Sequence, residues 1–271
     1  MATTSFTGFP RQTLTFLRDL AANNKKEWFE AHREEYEEHF LAPAREFVLA
    51  MGGKLKKLSP GLTADPRTNQ SLFRLNRDTR FSRDKSPYKT HLALWFWEGP
   101  GRRMECSGFY FHLEPDHLML GVGIYQFPKH LVEPYRRAVV DPKQGPALAK
   151  AVAALAKDGG ITIGGRRYKK VPAGYDPGHR NAGLLLHDGL YGGIEMEAPE
   201  ELHSEKIMDF CLERFLKMKP LHQWLLALTQ RAAEKGGGRF IDNGSSRRSL
   251  PRLHVPRPRA RPAVFKAAQM T

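Results

Sequence analysis

Cysteine is almost missing from this chain: Cys106 and Cys211 are the only two among 271 residues. They lie far apart and in no metal-like spacing, so there is no disulfide framework, and a reducing compartment is expected. No apolar run approaches the length of a membrane span, so none is expected. The N-terminal MATTSFTGFP lacks a basic segment followed by an apolar one, so no secretory signal is expected. Also absent are a phosphate loop ending in G-K-[ST], a G-x-S-x-G elbow, an H-E-x-x-H pair and a G-x-G-x-x-G turn. No internal repeat is visible. These absences point to a cytoplasmic protein and remove the commonest motif-bearing enzyme classes. No cofactor is expected.

Charge of one sign is abundant, but unevenly placed. The formal net charge is +14. The segment 236–271 holds eight basic residues and one acid, Asp242, and so half of that excess. It is rich in Pro, Arg and Ser and has little hydrophobic periodicity, so a disordered tail is expected. Bulk charge therefore says little about the rest. Residues 1–235 are expected to form a single domain.

Hydrophobic period divides that domain into three parts. Leu14, Leu17, Leu20 and Ala21 form a helical stripe after Pro10. Asn23-Asn24 ends that helix, and Asn24 is expected to cap the next, with Glu27 three residues on. Trp28, Phe29, His32, Tyr36 and Phe40 recur at helical spacing, and Ala44 to Leu58 continues as helix. The middle changes to a period of two, except Thr90–Trp97, which is apolar on both faces as a central strand would be. Ser71–Arg77, Thr90–Trp97, Gly108–Leu113 and Leu118–Ile124 are expected strands of an antiparallel meander. Helices return over Lys129–Val140, Gly145–Lys157, Glu200–Leu216 and Leu221–Ala233, the last two split by Pro220. Helices, then strands, then helices give an α+β fold, with an antiparallel sheet of four or more strands packed by N-terminal and C-terminal helices.

One stretch concentrates the chemistry: FRLNRDTRFSRDKSPYKTH, Phe73 to His91. Its loop, Asp78 to Lys89, is long for a connection without structure of its own, and such loops are usually functional or disordered. Phe81, Tyr88 and Pro87 give it anchors. Arg74, Arg77, Arg80 and Arg83 are spaced by three, which no strand or helix places on one side. A curved loop can focus them on an anion, and the guanidinium fork suits phosphate or carboxylate. The expected ligand-binding set is Arg74, Arg77, Arg80, Lys85 and Lys89, with Lys170 from the basic segment Gly164 to His179. The acid–base candidates are Asp78, Asp84, Tyr88 and His179. The competing reading is structural: Asp78 and Asp84 pair with neighbouring arginines and tie the loop to the sheet. No metal site is expected. His112 and His117 flank a turn with Glu114 and Asp116, but no third ligand is evident. Gly121-Val122-Gly123 marks close approach of a ligand or of another backbone.

The order of these features resembles a known family. Phe9, Asn23-Asn24-Lys25 with Trp28-Phe29, Arg77-Asp78-Thr79-Arg80-Phe81-Ser82, Asp84-Lys85-Ser86-Pro87-Tyr88-Lys89, Gly121-x-Gly123, Pro172-x-Gly174-Tyr175-Asp176 and His179 together resemble domain of unknown function 2461, an uncharacterised microbial and fungal family. The resemblance spans roughly residues 6–230. It implies one domain, with the basic loop and the Pro-x-Gly-Tyr-Asp segment belonging to one design, and no established activity. This chain has Tyr125 where such proteins commonly carry Trp.

The leading expectation is a protein that binds a phosphate-bearing or carboxylate-bearing small molecule through residues 74–89, as a binder or as an enzyme. A second has the basic tail contact nucleic acid, with Trp95, Trp97 or Tyr110 stacking on bases. A third is a non-catalytic module whose loop docks an acidic partner.

Overall fold

The computed structural model describes residues 6–235, so the expected tail lies outside the described residues. The chain opens with α1 (Arg11–Ala22) and α2 (Lys26–Ala31). A single turn, α3 (Arg33–Glu35), leads through a wide π-turn, Tyr36–Leu41, into α4 (Ala42–Lys56). Three strands follow: β1 (Leu92–Glu98), β2 (Ser107–Leu113) and β3 (His117–Ile124). Next come α5 (Lys129–Val140), α6 (Gln144–Lys157), β4 (Thr162–Arg166), β5 (His187–Glu197) and α7 (Lys206–Lys235).

The five strands form one antiparallel sheet in the order β1-β2-β3-β5-β4. The fold is α+β, with N-terminal and C-terminal helices beside that sheet. Alternation explains its two faces. Leu92, Leu94 and Phe96, then Phe109, Phe111 and Leu113, then Leu118, Leu120 and Val122 point to the main core. There they meet Phe47 and Met51 of α4 and Phe215, Met218 and Leu221 of α7. Phe9 lies against both Phe47 and Phe111, which ties the N-terminal segment to the sheet. Each such side chain contributes about 1.5–3 kcal/mol by leaving water. The opposite face carries a smaller cluster: Ala93, Trp95, Trp97, Cys106 and Tyr110, with Phe73, Met104 and Met119.

Four expectations need correction. Ser71–Arg77 is not a strand. It meets the edge of β1 only at single points, with Phe73 N–H donating to Ala93 and Trp95 N–H to Ser71. It then turns away to bond with Pro87 and Lys89. Pro220 does not divide two helices, because α7 runs through it. A missing N–H costs one hydrogen bond, and the burial of Met218, Leu221, Trp224 and Leu225 on either side outweighs it. β4 and β5 were not expected from the sequence. Their glycines, Gly164, Gly165, Gly189, Gly192 and Gly193, erase the period-two signal. Asn24 does not cap α2: Lys25 holds the cap position, and the Asn24 side chain bonds elsewhere.

Among the described residues no helix is long and apolar enough to cross a membrane. The Gly121–Gly123 question divides. Gly123 has φ +139°, and a Cβ there would meet the Leu190 carbonyl oxygen at 2.3 Å. That glycine serves close backbone approach within the sheet.

Candidate functional site

The second face of the sheet gathers the reactive side chains. Leu92 pairs with Leu113 and Ala93 with His112. One residue before β1, His91 therefore falls beside Glu114, and alternation puts both on the same face as His112. The His91 and His112 rings stack with centroids 4.2 Å apart. His112 Nε2 lies 3.1 Å from Glu114 Oε1, and its Nδ1 lies 3.0 Å from the Tyr110 hydroxyl. A chain of hydrogen bonds thus runs Tyr110–His112–Glu114. Ligand atoms of His91, His112 and Glu114 all lie within 4.8 Å of one another. The Nε2 of His91 is enclosed and has no hydrogen-bond partner. Burial first, then the neighbouring His112 and Lys89, holds His91 well below the ordinary histidine range. Burial pushes the Tyr110 phenol upward.

Lys89 acts on His91, and Arg103 in turn sits near Lys89. Lys89 Nζ sits 5.5 Å and the Arg103 guanidinium 4.0 Å from the centre of the Phe73 ring. Arg103 donates to the Asn69 carbonyl at 2.6 Å, while its Nε is buried without a partner. Among the described residues neither Lys89 nor Arg103 forms an ion pair. Burial first, then the like charges of Arg74 and Arg103, draws the Lys89 ammonium down to about 8. Burial alone draws Arg103 down to about 10. Half-buried cations held together without a carboxylate are costly, since each raises the cost of charging the other.

The loop itself is braced from within. Arg77 Nη1 donates to Asp84 at 2.7 Å and to the Ser86 carbonyl at 2.9 Å. Arg80 grips both oxygens of Asp78, and Lys85 donates to the Thr79 carbonyl at 2.9 Å. Bonds from Arg80 hold Asp78 down to about 2; bonds from Ser86, then Arg77, do the same for Asp84. Both therefore stand ionised, as counter-ions of arginines. Tyr88 is buried, and its ring stacks on Phe29 at 4.3 Å. Desolvation first, then Glu30 and Glu27, raises its phenol. Arg74 is exposed beside Lys89 and Asp78.

The segment after β4 goes elsewhere. The Tyr175 hydroxyl donates to Glu133 of α5 at 2.9 Å. His179 closes a turn with Asp176, and its Nδ1 accepts from the Asn181 N–H at 3.1 Å. Lys170 is exposed. No hydrogen bond or ion pair among the described residues joins 168–181 to 74–89. Sequence reasoning missed Arg103 and the pairings of His112 with Tyr110 and with His91. The strand alternation that aligns His112 with Glu114 was legible, whereas His91 required the β1–β2 register. His117 does not join His112; it faces Glu197 of β5.

A separate cleft of about 390 Å³ opens between the Gly99–Gly101 turn, α5 and α7. Its polar side chains include Glu105, His130 and Thr229, but it holds no cluster of three potential ligands. The chemistry favours the sheet face.

The sequence model of a family described as a conserved hypothetical protein, DUF2461, matches residues 12–224. The chain belongs to that family. No curated protein matches it.

Proposed function

We propose that the protein binds a small phosphate-bearing or carboxylate-bearing molecule on the second face of its sheet, between Lys89, Arg103 and the His91–His112–Glu114 group. The observation that carries this reading is the half-buried pair Lys89 and Arg103, set on one aromatic ring without an acidic partner among the described residues. Folding two like charges together is unfavourable unless a counter-charge arrives, and a bound anion supplies it. In this reading Arg74 and Lys89, of the residues expected from sequence, belong to the binding set. Arg77, Arg80, Asp78, Asp84 and Lys85 shape the neighbouring loop, while Tyr88, His179 and Lys170 stand outside. The Tyr110–His112–Glu114 chain adds acid–base capacity beside the anion, so proton transfer or hydrolysis is the reaction class that fits.

The test is a thermal-shift and calorimetric screen with inorganic phosphate, phosphorylated sugars and di- and tricarboxylates. A true ligand raises the melting temperature with the logarithm of its concentration above Kd. Lys89→Ala and Arg103→Ala should remove that response, and Arg80→Ala should keep it. A response that survives in the double variant Lys89→Ala/Arg103→Ala, or a screen without any response, overturns the reading.

A further inference from the structure

Three donors on one face, two of them imidazoles, invite a second question. We infer that His91, His112 and Glu114 form a binding site for a divalent transition-metal ion, zinc by donor preference, with an open fourth position. Three independent observations lead there. The ligand atoms are already grouped within 4.8 Å of one another. Tetrahedral zinc, with bonds of about 2.0–2.1 Å, places its ligands about 3.3 Å apart. The His112–Glu114 pair, at 3.1 Å, already meets that spacing, and the widest pair closes by about 1.5 Å on binding.

The second observation is the orphaned nitrogen. His91 Nε2 is enclosed and unpartnered, which is rare for a buried polar atom and calls for an unseen partner. An ordinary core histidine would satisfy both nitrogens. The third is the outer partner of His112. A ligating histidine commonly holds its other ring nitrogen in a hydrogen bond that fixes tautomer and orientation. With a metal on Nε2 in place of the Glu114 hydrogen bond, Nδ1–H would donate to the Tyr110 oxygen 3.0 Å away.

The nearby cations bear on what the fourth position holds. Two neutral imidazoles and one carboxylate leave a divalent ion with net charge +1. Lys89 and Arg103 add to it, so the fourth position suits an anion or hydroxide better than a neutral ligand. The inference nevertheless stands apart from the anion reading, because its probe is the metal alone.

The full chain, stripped with chelator, should take up one equivalent of Zn²⁺ by calorimetry. Co²⁺ in its place should give the intense visible absorption of a four-coordinate centre. His91→Ala and Glu114→Gln should each weaken binding about tenfold or more, the range seen even for outer-shell changes. Glu114 is half-exposed at a turn, so Glu114→Gln keeps the test decisive if His91→Ala fails to fold. Absence of stoichiometric uptake by the wild type overturns the inference. Uptake that Glu114→Gln leaves unchanged also overturns it, since the ion would then sit at other histidines.

Discussion

The side-chain amide of Asn24 donates to the Tyr88 carbonyl at 3.0 Å and accepts the Tyr88 N–H at 3.0 Å. Asn24 thus acts as a one-residue strand partner for position 88, sixty-four residues along the chain. Phe29, five residues on, stacks on the Tyr88 ring. Together they fix the residue just before Lys89, and so set where that ammonium lies on the sheet face. Removing Asn24 leaves two backbone groups without partners. Asn24→Ala should cost about 2 kcal/mol in denaturant unfolding. A loss within experimental error would mean that Asn24 does not hold the loop.

Arg77 and Arg80 look alike in sequence but differ in the fold. Arg77 is largely covered and reaches the Ser86 carbonyl as well as Asp84; Arg80 projects outward over Asp78, which also accepts the Arg80 N–H. Arg77→Ala should destabilise the protein by about 1–2 kcal/mol, because a partly buried carbonyl loses its donor. Arg80→Ala should leave the melting temperature unchanged. Equal effects of the two changes on thermal unfolding would contradict this division.

Much of the sheet was legible in the sequence because β1 is apolar on both faces, while β2 and β3 carry core residues at every second position. The remainder was hidden for local reasons. In β5, His187–Glu197, glycines stand at 189, 192 and 193, and only Leu190, Ile194 and Met196 mark the core face. In 71–77 the alternation is real, yet the backbone spends its hydrogen bonds on two partners: β1 first, then residues 87 and 89. The candidate site was half legible. Lys89 and Arg74 stood out as charge, and His112 and Glu114 as alternation. Arg103 lies in a short turn with no pattern of its own, and His91 gains meaning only from the β1–β2 register.

Gly123 should not accept a side chain. Its φ of +139° is a region L residues avoid, and the added Cβ would strike the Leu190 carbonyl and the Tyr191 backbone. Gly123→Ala should destabilise the sheet by several kcal/mol, about 3 or more, or prevent soluble expression. Wild-type stability in this variant, measured by calorimetry, would show that the β3–β5 contact is looser than described.

His222 makes stability depend on pH. It is fully buried, with Nε2 at 3.0 Å from Ser59 Oγ and Nδ1 at 2.9 Å from Ser107 Oγ; Glu98, itself bonded to Ser59, lies beside it. Burial lowers its affinity for a proton, Glu98 opposes that, and Lys219 adds to it. The folded value is therefore below the unfolded 6.5. Above that pH both states are neutral and stability is complete. As pH falls below it, the unfolded chain binds the proton first, and stability declines toward the depressed folded value. Melting temperature should drop between pH 7 and pH 5, and His222→Gln should drop less over the same window. Parallel curves for the two proteins would remove His222 from the account.

Lys89 offers the sharpest separation of stability from binding. Its ammonium is half-buried, faces Arg74 and Arg103, and has no ion-pair partner among the described residues, so its charge costs more on folding than the Phe73 ring returns. The ammonium lies over the Phe73 ring, and Met offers an unbranched side chain of similar reach without the charge. Lys89→Met should therefore raise the melting temperature of the ligand-free protein while abolishing the response to phosphate or carboxylate ligands. Sites kept for function commonly sacrifice stability in this way. A lysine of purely structural value would give the opposite sign, a lower melting temperature on substitution, and with that result the anion site would lose its main support.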